Sequence, residues 1–198
     1  MYSPAVQRAI ETFRKLPGVG PKTAERYAFA LLRAGTTRIQ ELTLALTGLS
    51  ERVVQCTSCR AFAAENPCST CKDPHRDANL LCVVAKDQDM PPIEKSGAFN
   101  GRFYVLGGVL NPLDDDAHAV KVATDELIAR LTRAPVKEIL LGLSPDMDGE
   151  TTILYLQKRL APLSIPLFRL ARGIPVGAEI EYADEITLKD AIESRKKL

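Results

Sequence analysis

The sequence predicts a multidomain α and α/β protein, in which a helical module, a four-cysteine knuckle and a parallel-sheet domain follow one another. Three observations predict this class. Apolar residues recur at helical spacing on both sides of a Pro-Gly-Val-Gly-Pro break. Two Cys-x-x-Cys pairs then lie close together. From residue 79 onward, apolar strands alternate with helices, as in a parallel sheet covered on two sides.

We expect four segments: a helical module at 1–54, the cysteine knuckle at 55–78, the α/β domain at 79–174, and a C-terminal segment and helix at 175–198. With 45% hydrophobic and 26% charged residues in 198, the composition excludes wholesale disorder. No apolar run approaches the roughly 20 residues that span a bilayer, so we expect no membrane partner. The N-terminus lacks the pattern of a signal peptide, which predicts a cytoplasmic protein with reduced cysteines.

Charge is distributed unevenly along the chain. The formal net charge of +1 for the whole chain argues against a polyanionic partner. Residues 1–40, however, carry a net charge of +5, residues 41–78 carry −1 and residues 79–198 carry −3. The basic module is typical of a protein that binds nucleic acid, and the alternative is a solvated helix surface.

The basic module is predicted to form two helices joined by a glycine hairpin. Ser3 and Pro4 predict a helix start, with Ser3 able to cap, and a second amphipathic helix is expected from about 22 to 33. Between them, Gly18 and Gly20 leave the backbone bare just before a helix N-terminus, where amide groups and the helix dipole favour an anion.

The stretch Leu-Pro-Gly-Val-Gly-Pro-Lys-Thr-Ala at 16–24 resembles a helix-hairpin-helix DNA-binding motif. A phosphate could approach the glycines, and Lys22 would add a point charge at the edge. Such contacts read the DNA backbone, so binding should be non-sequence-specific and sensitive to salt. The alternative is a hairpin that serves only packing or protein contacts.

The cysteine knuckle contains two Cys-x-x-Cys pairs joined by eight residues. Four thiolates complete a tetrahedron without an open position, which predicts one structural Zn²⁺ held by Cys56, Cys59, Cys68 and Cys71. A segment this short cannot bury a core of its own, so the metal should supply much of its folding free energy. The alternatives are an iron–sulfur cluster and, less favoured, two disulfides. Cys82 stands apart in an apolar run and is expected to be a buried core thiol.

The α/β domain and the C-terminal segment after it are predicted to contain four strands, three helices and one carboxylate-rich turn. The expected strands are 80–84, 103–106, 138–141 and 165–170, and the expected helices are 124–131, 149–160 and 187–196. Asp146, Asp148 and Glu150 lie where the third strand turns into a helix, and their oxygens could form a weak Mg²⁺ site. The alternative is that Asp148 caps the helix and Glu150 complements its dipole.

Taken in order, these parts resemble the RecR family of bacterial recombination mediators along nearly the whole chain. The matching motifs are the hairpin at 16–24, the cysteine spacing, Cys-Val-Val at 82–84, Ile-Glu-Lys-Ser-Gly at 93–97, Val-Leu-Gly-Gly-Val-Leu at 105–110, Ala-Arg-Gly-Ile-Pro-Val-Gly at 171–177 and Glu-Tyr-Ala-Asp-Glu at 181–185.

The resemblance implies a Toprim domain at about 79–174 and a Walker B-like element at 181–185. It also implies ring-like tetramers, or dimers of dimers, that engage single- and double-stranded DNA at the nucleoid. Family members act with RecO and RecF to help load RecA onto single-stranded gaps in recombinational DNA repair. The DNA-contacting candidates that carry over are Gly18, Gly20, Lys22 and Arg26, and the four clustered cysteines carry over as zinc ligands.

Two departures from the family pattern bear on catalysis. Ala85 stands where the family usually has Glu directly after the first Toprim strand, and that Glu resembles a general acid or base in catalytic Toprim enzymes. Asp146 and Asp148 stand where members more often have Thr and Glu. We therefore expect a non-enzymatic DNA-binding scaffold. The alternatives are a Mg²⁺-dependent Toprim nuclease or primase-like enzyme, and a pure protein-interaction module.

Overall fold

The chain forms two compact units, Met1–Val53 and Val54–Leu198, in a computed structural model that describes residues 2–111 and 116–195. Among the helices of these described ranges, none combines the length and the apolarity that a membrane crossing requires.

The first unit consists of three helices. They are α1 (Pro4–Arg14), α2 (Pro21–Ala34) and α3 (Thr36–Arg52). The first two pack together as the apolar spacing predicts, and the buried side chains of Ala24 and Ala28 let the helices approach closely. Edge-to-face ring contacts flank this seam, with centroid distances of 5.2 Å and 6.0 Å, in the pairs Tyr2–Phe29 and Phe13–Tyr27.

Two features of this unit differ from expectation. Ser3 does occupy the N-cap of α1, but its hydroxyl makes no capping bond, and its carbonyl accepts the Gln7 N–H at 3.0 Å instead. The predicted elements also leave out the residues of α3. Ile39, Leu42, Leu46 and Leu49 do recur at helical spacing, although this helix, which is described throughout, buries none of its residues. The sequence therefore carries a helical signal here that the prediction omits.

The second unit is built on a four-stranded sheet in which all strands are parallel, as predicted. The strands are β3 (Asp77–Val84), β4 (Gly101–Val105), β5 (Glu138–Gly142) and β6 (Leu167–Arg169). Their order across the sheet is β4-β3-β5-β6. The last strand is shorter than the predicted 165–170.

Four helices accompany this sheet. They are α5 (Met90–Lys95), α6 (Asp116–Arg133), α7 (Met147–Leu160) and α8 (Glu185–Glu193). The first was not predicted, and α6 begins eight residues before the predicted start at 124. The last helix starts earlier than predicted and ends at Glu193, while residue 196 of its predicted range lies outside the described residues.

The two faces of the sheet are covered differently. Helices α6 and α7 pack on the face that carries Leu81, Val83 and Tyr104. The opposite face, which carries Cys82, Val84 and Phe103, packs against the cysteine segment and α5. The cysteine segment contains a small antiparallel pair and a one-turn helix: β1 (Val54–Gln55), β2 (Phe62–Ala63) and α4 (Ser69–Lys72). Both faces of the sheet are therefore covered, as predicted, and the knuckle shares the core on one of them.

Candidate metal centre and nucleic-acid interface

The four clustered cysteines converge on one point. Their Sγ atoms all lie within 4.8 Å of one another, and Cys56, Cys59 and Cys68 are buried. The Sγ–Sγ distances are 3.9 Å for Cys56–Cys71 and 3.6 Å for Cys59–Cys68, and all four thiols are free of disulfides. A tetrahedral ion with metal–sulfur bonds of about 2.3 Å sets its sulfurs about 3.8 Å apart. The arrangement of the thiols therefore suits a four-coordinate metal ion.

The electrostatics of the cluster also call for a cation. Burial works against ionisation of Cys56, but backbone N–H groups, including that of Cys68 at 3.4 Å, lower the pKa of this thiol to about 6. The pKa of Cys59 is raised by its hydrogen bond to Cys71 and by burial, and the pKa of Cys68 is raised by burial. Four thiols this close ionise together only when a metal ion compensates their charge.

Two arginines tie the knuckle to helix α6. Arg60 follows the first Cys pair with a φ of 65°, in the left-handed region, and its guanidinium pairs with Glu126. From the side of α6, Arg130 Nη1 donates to the Ser58 carbonyl of the knuckle at 2.8 Å. Sequence reasoning missed both residues because the partners lie 66 and 72 positions apart, and no local pattern connects them.

The hairpin between α1 and α2 has the backbone conformation that the glycines allow. Gly18 has a φ of 74°, which an L side chain rarely adopts, and the Val19 N–H closes the turn on the Leu16 carbonyl at 3.1 Å. Gly20 is the N-cap of α2 and Pro21 occupies the first turn, and no described side chain caps this terminus. The start of α2 is thus left available to an external acceptor.

Basic side chains surround this hairpin. Lys22 and Arg26 lie one helical turn apart at the start of α2, so they occupy the same face of the helix. The Arg26 guanidinium lies 5.9 Å from the centroid of the Tyr27 ring. All seven basic residues of the segment 1–40 are exposed: Arg8, Arg14, Lys15, Lys22, Arg26, Arg33 and Arg38. The four DNA-contacting candidates therefore share one exposed end of the module.

The carboxylates predicted as a weak Mg²⁺ site have other partners. Asp146, not Asp148, is the N-cap of α7, and its Oδ1 accepts the Gly149 N–H at 2.7 Å. Asp148 Oδ2 accepts from Asn111 at 3.2 Å. Glu150 pairs with Arg172, which also reaches Asp190 Oδ2 at 3.2 Å.

Within the described part of the chain, the cysteines are the only group of three or more His, Cys, Asp or Glu residues whose ligand atoms converge. Asp146, Asp148 and Glu150 are therefore not brought together, and this geometry lends the Mg²⁺ site no support. Ala85 is buried in the core at the end of β3, and its carbonyl accepts the Gly107 N–H at 2.9 Å. A methyl side chain at this position cannot transfer a proton.

The fold and the cysteine cluster together define a modular protein, in which a helix-hairpin-helix unit precedes a Toprim-type α/β unit that carries four thiols able to hold one metal ion. Families described as "RecR, helix-hairpin-helix", "Toprim domain" and "RecR, C-terminal" match residues 6–49, 79–171 and 173–196. The chain belongs to the RecR family of recombination proteins.

Relatives named "Recombination protein RecR" match over their full lengths. The protein of Thermobifida fusca is 43% identical over 100% of this chain and 99% of its own. Those of Bifidobacterium animalis and Rippkaea orientalis are 42% and 41% identical over all of this chain, and over 98% and 100% of their own lengths. The resemblance drawn from the sequence motifs is thereby confirmed.

Proposed function

We propose that the protein is a DNA-binding recombination mediator: a non-enzymatic, oligomeric scaffold that acts with RecO and RecF to promote RecA loading on single-stranded gaps. The observation that carries this proposal is the exposed, uncapped start of α2 behind Gly18 and Gly20, in a segment, 1–40, whose seven basic side chains are all exposed.

At this site, two glycines let a DNA phosphate approach the backbone amides at the start of α2. Lys22 then supplies a charge at the edge of the hairpin, and Arg26 supplies a second one turn further along. These groups contact the sugar-phosphate backbone and no base edge. Binding is therefore expected on single- and double-stranded DNA alike, without sequence preference, and to weaken as salt rises.

One such module makes few phosphate contacts, so a single copy binds weakly. A homo-oligomer, which we propose is a tetramer or a dimer of dimers, raises the effective concentration of the remaining hairpins once one is bound. The C-terminal segment at 175–198, with its Walker B-like residues 181–185, and the Toprim domain would then offer surfaces to RecO and RecF in the cytoplasm, at the nucleoid.

The metal is proposed to be one structural Zn²⁺ per chain. Four thiolates saturate a tetrahedral ion, so no position remains for water or substrate. Zinc here would fix the knuckle against the sheet face that carries Cys82 and Phe103. Its contribution is to folding, and the proposed DNA contacts lie on the other unit.

The Lys22→Ala substitution tests the hairpin contact. Loss of this exposed charge should weaken binding to gapped DNA about tenfold at moderate salt, because one charge-assisted phosphate contact disappears from each subunit. Fluorescence anisotropy of labelled gapped DNA measures the change. Lys121→Ala, which removes an exposed lysine from α6 in the other unit, is the matched control and should bind as the wild type. Equal affinities for the two variants would remove the hairpin from the DNA interface.

Incubation with labelled single- and double-stranded DNA and Mg²⁺ or Mn²⁺ tests the absence of catalysis. We expect intact DNA, because Ala85 provides no proton-transfer group and the carboxylates near α7 serve as cap and ion-pair partners. Cleavage that disappears in Asp146→Asn would contradict the proposal. Because Asn is also a favourable N-cap residue, a loss of cleavage in that variant would not result from a destabilised start of α7.

A further inference from the structure

A cleft of about 720 Å³ lies between the cysteine knuckle, the edge strand β4 and the C-terminal half of α6. All three walls belong to the second unit. This volume is in the range of sites that hold a small phosphorylated ligand or a nucleotide. None of the functional residues assigned above, apart from two cysteines of the metal centre, lines it.

The lining is strongly basic. It contains five cationic side chains and one carboxylate, that of Glu126. The cations are Arg60, Lys72, Arg102, Arg130 and Arg133. A divalent ion on four thiolates carries a net charge of −2, so the cations outnumber the negative charges of the lining even when the metal centre is counted.

These charges are largely uncompensated by the protein. Glu126 is engaged by Arg60, and Lys72 reaches outward to Glu65 at 2.6 Å. Arg102, Arg130 and Arg133 form no ion pair with any carboxylate of the described residues.

Contacts within the protein hold two of these arginine side chains, Arg130 and Arg133, and Arg133 Nε donates to the Ala129 carbonyl at 3.2 Å. Arg130 lies over the Tyr104 ring, 5.7 Å from its centroid, and donates to the Ser58 carbonyl. Arg102 buries its Nε without an acceptor among the described residues. Desolvated positive charge of this kind is costly unless an anion meets it, and fixed guanidinium groups match the oxygens of a phosphate.

We propose that this cleft is a second anion site, which binds a phosphate group between Arg102, Arg130 and Arg133. The phosphate belongs either to a small phosphorylated ligand or to the backbone of a DNA strand that passes the knuckle. The site is independent of the proposed hairpin contact, because its residues lie on the other unit of the chain.

The probe is inorganic pyrophosphate, titrated calorimetrically into the metal-loaded full-length protein, with sodium chloride matching the ionic strength. Arg133→Gln is the principal variant because this side chain is exposed on α6 and its loss leaves the core intact. Arg102→Gln is the second variant. Arg159→Gln, which removes an exposed arginine on α7, is the matched control. Metal content and circular dichroism verify that each variant is folded.

We expect pyrophosphate affinity to fall at least fivefold in Arg133→Gln and Arg102→Gln, and to stay unchanged in Arg159→Gln. No measurable binding to the wild type, or equal losses in Arg159→Gln and Arg133→Gln, would overturn the site. Complete loss of pyrophosphate binding in Lys22→Ala would also overturn it, since all of the anion would then bind at the hairpin.

A DNA titration in the Lys22→Ala background distinguishes the two sources of phosphate. If Arg133→Gln weakens the residual DNA binding there, the cleft accepts a backbone phosphate. If it abolishes pyrophosphate binding and leaves DNA binding unchanged, the site serves a small phosphorylated ligand. Both results support the anion site, and an unchanged response to both probes refutes it.

Discussion

Gly149 shows how a single residue fixes the turn between β5 and α7. A Cβ built at this position would lie 2.0 Å from the Ser144 carbonyl oxygen and 3.2 Å from Asp146 Oδ1. The turn closes so tightly that the Asp146 carboxylate can cap the helix through the Gly149 N–H. The sequence shows a glycine beside acidic residues, and nothing in that pattern distinguishes a close backbone approach from a flexible loop.

Gly149→Ala should therefore lower the free energy of unfolding by about 1–3 kcal/mol, the usual range for overpacking at a rigid site. Urea unfolding followed by circular dichroism measures it. Gly48→Ala is the control, since a Cβ meets nothing within 4 Å in α3, and it should raise stability slightly by favouring the helix. A Gly149→Ala protein as stable as the wild type would show that the turn relaxes without cost.

The five cysteines separate into two kinds that a substitution can tell apart. Burial raises the pKa of Cys82 to about 12, so this thiol is neutral at physiological pH, and it packs beside Val84 and Phe103. Cys68→Ser should abolish metal binding, whereas Cys82→Ser should keep one metal per chain and lose about 1–3 kcal/mol through a buried hydroxyl. Metal analysis and thermal unfolding provide the two readouts. Metal retained in Cys68→Ser would contradict the four-thiol assignment.

At the scale of the elements, the sequence predicts best where apolar periodicity and burial coincide. Ile153, Leu156 and Leu160 recur at helical spacing in α7, and all three are buried as expected. The strands of the sheet were found for the same reason, because each is a continuous apolar run. Helix α3 has the periodicity without the burial, because Ile39, Leu42, Leu46 and Leu49 recur at helical spacing while the leucines of this helix are exposed by as much as 73% at Leu44.

The position of the knuckle on the sheet could not be predicted either. Spacing alone identifies four ligands for one metal ion, because the chemistry is local. The sheet face against which these ligands pack depends on contacts between distant parts of the chain. One such contact is the Val105 N–H, which donates to the Cys59 carbonyl at 2.8 Å. The same holds for the anion cleft, whose arginines come from three separate elements.

For the whole molecule, the formal net charge of +1 conceals an exposed basic unit and a mildly acidic remainder. Such a division lets one protein bind DNA through one part and present another part to protein partners of different charge. It also bears on assembly, because the proposed avidity requires several basic units in one particle.

Size-exclusion chromatography with light scattering measures that assembly. We expect the mass in solution to be a multiple of the 21.7 kDa chain, and about four times that value at micromolar concentrations. Addition of gapped DNA should yield one complex that carries the whole assembly. A particle of single-chain mass at every concentration, with or without DNA, would contradict the oligomeric scaffold.

The backbone and the side chain of Arg60 favour different amino acids at this position. Its left-handed backbone favours glycine, yet its guanidinium pairs with Glu126 on α6. A glycine at this position would relieve the backbone strain and lose the pair with Glu126, so that Arg130 and the Ser58 carbonyl would be left to attach the knuckle to α6.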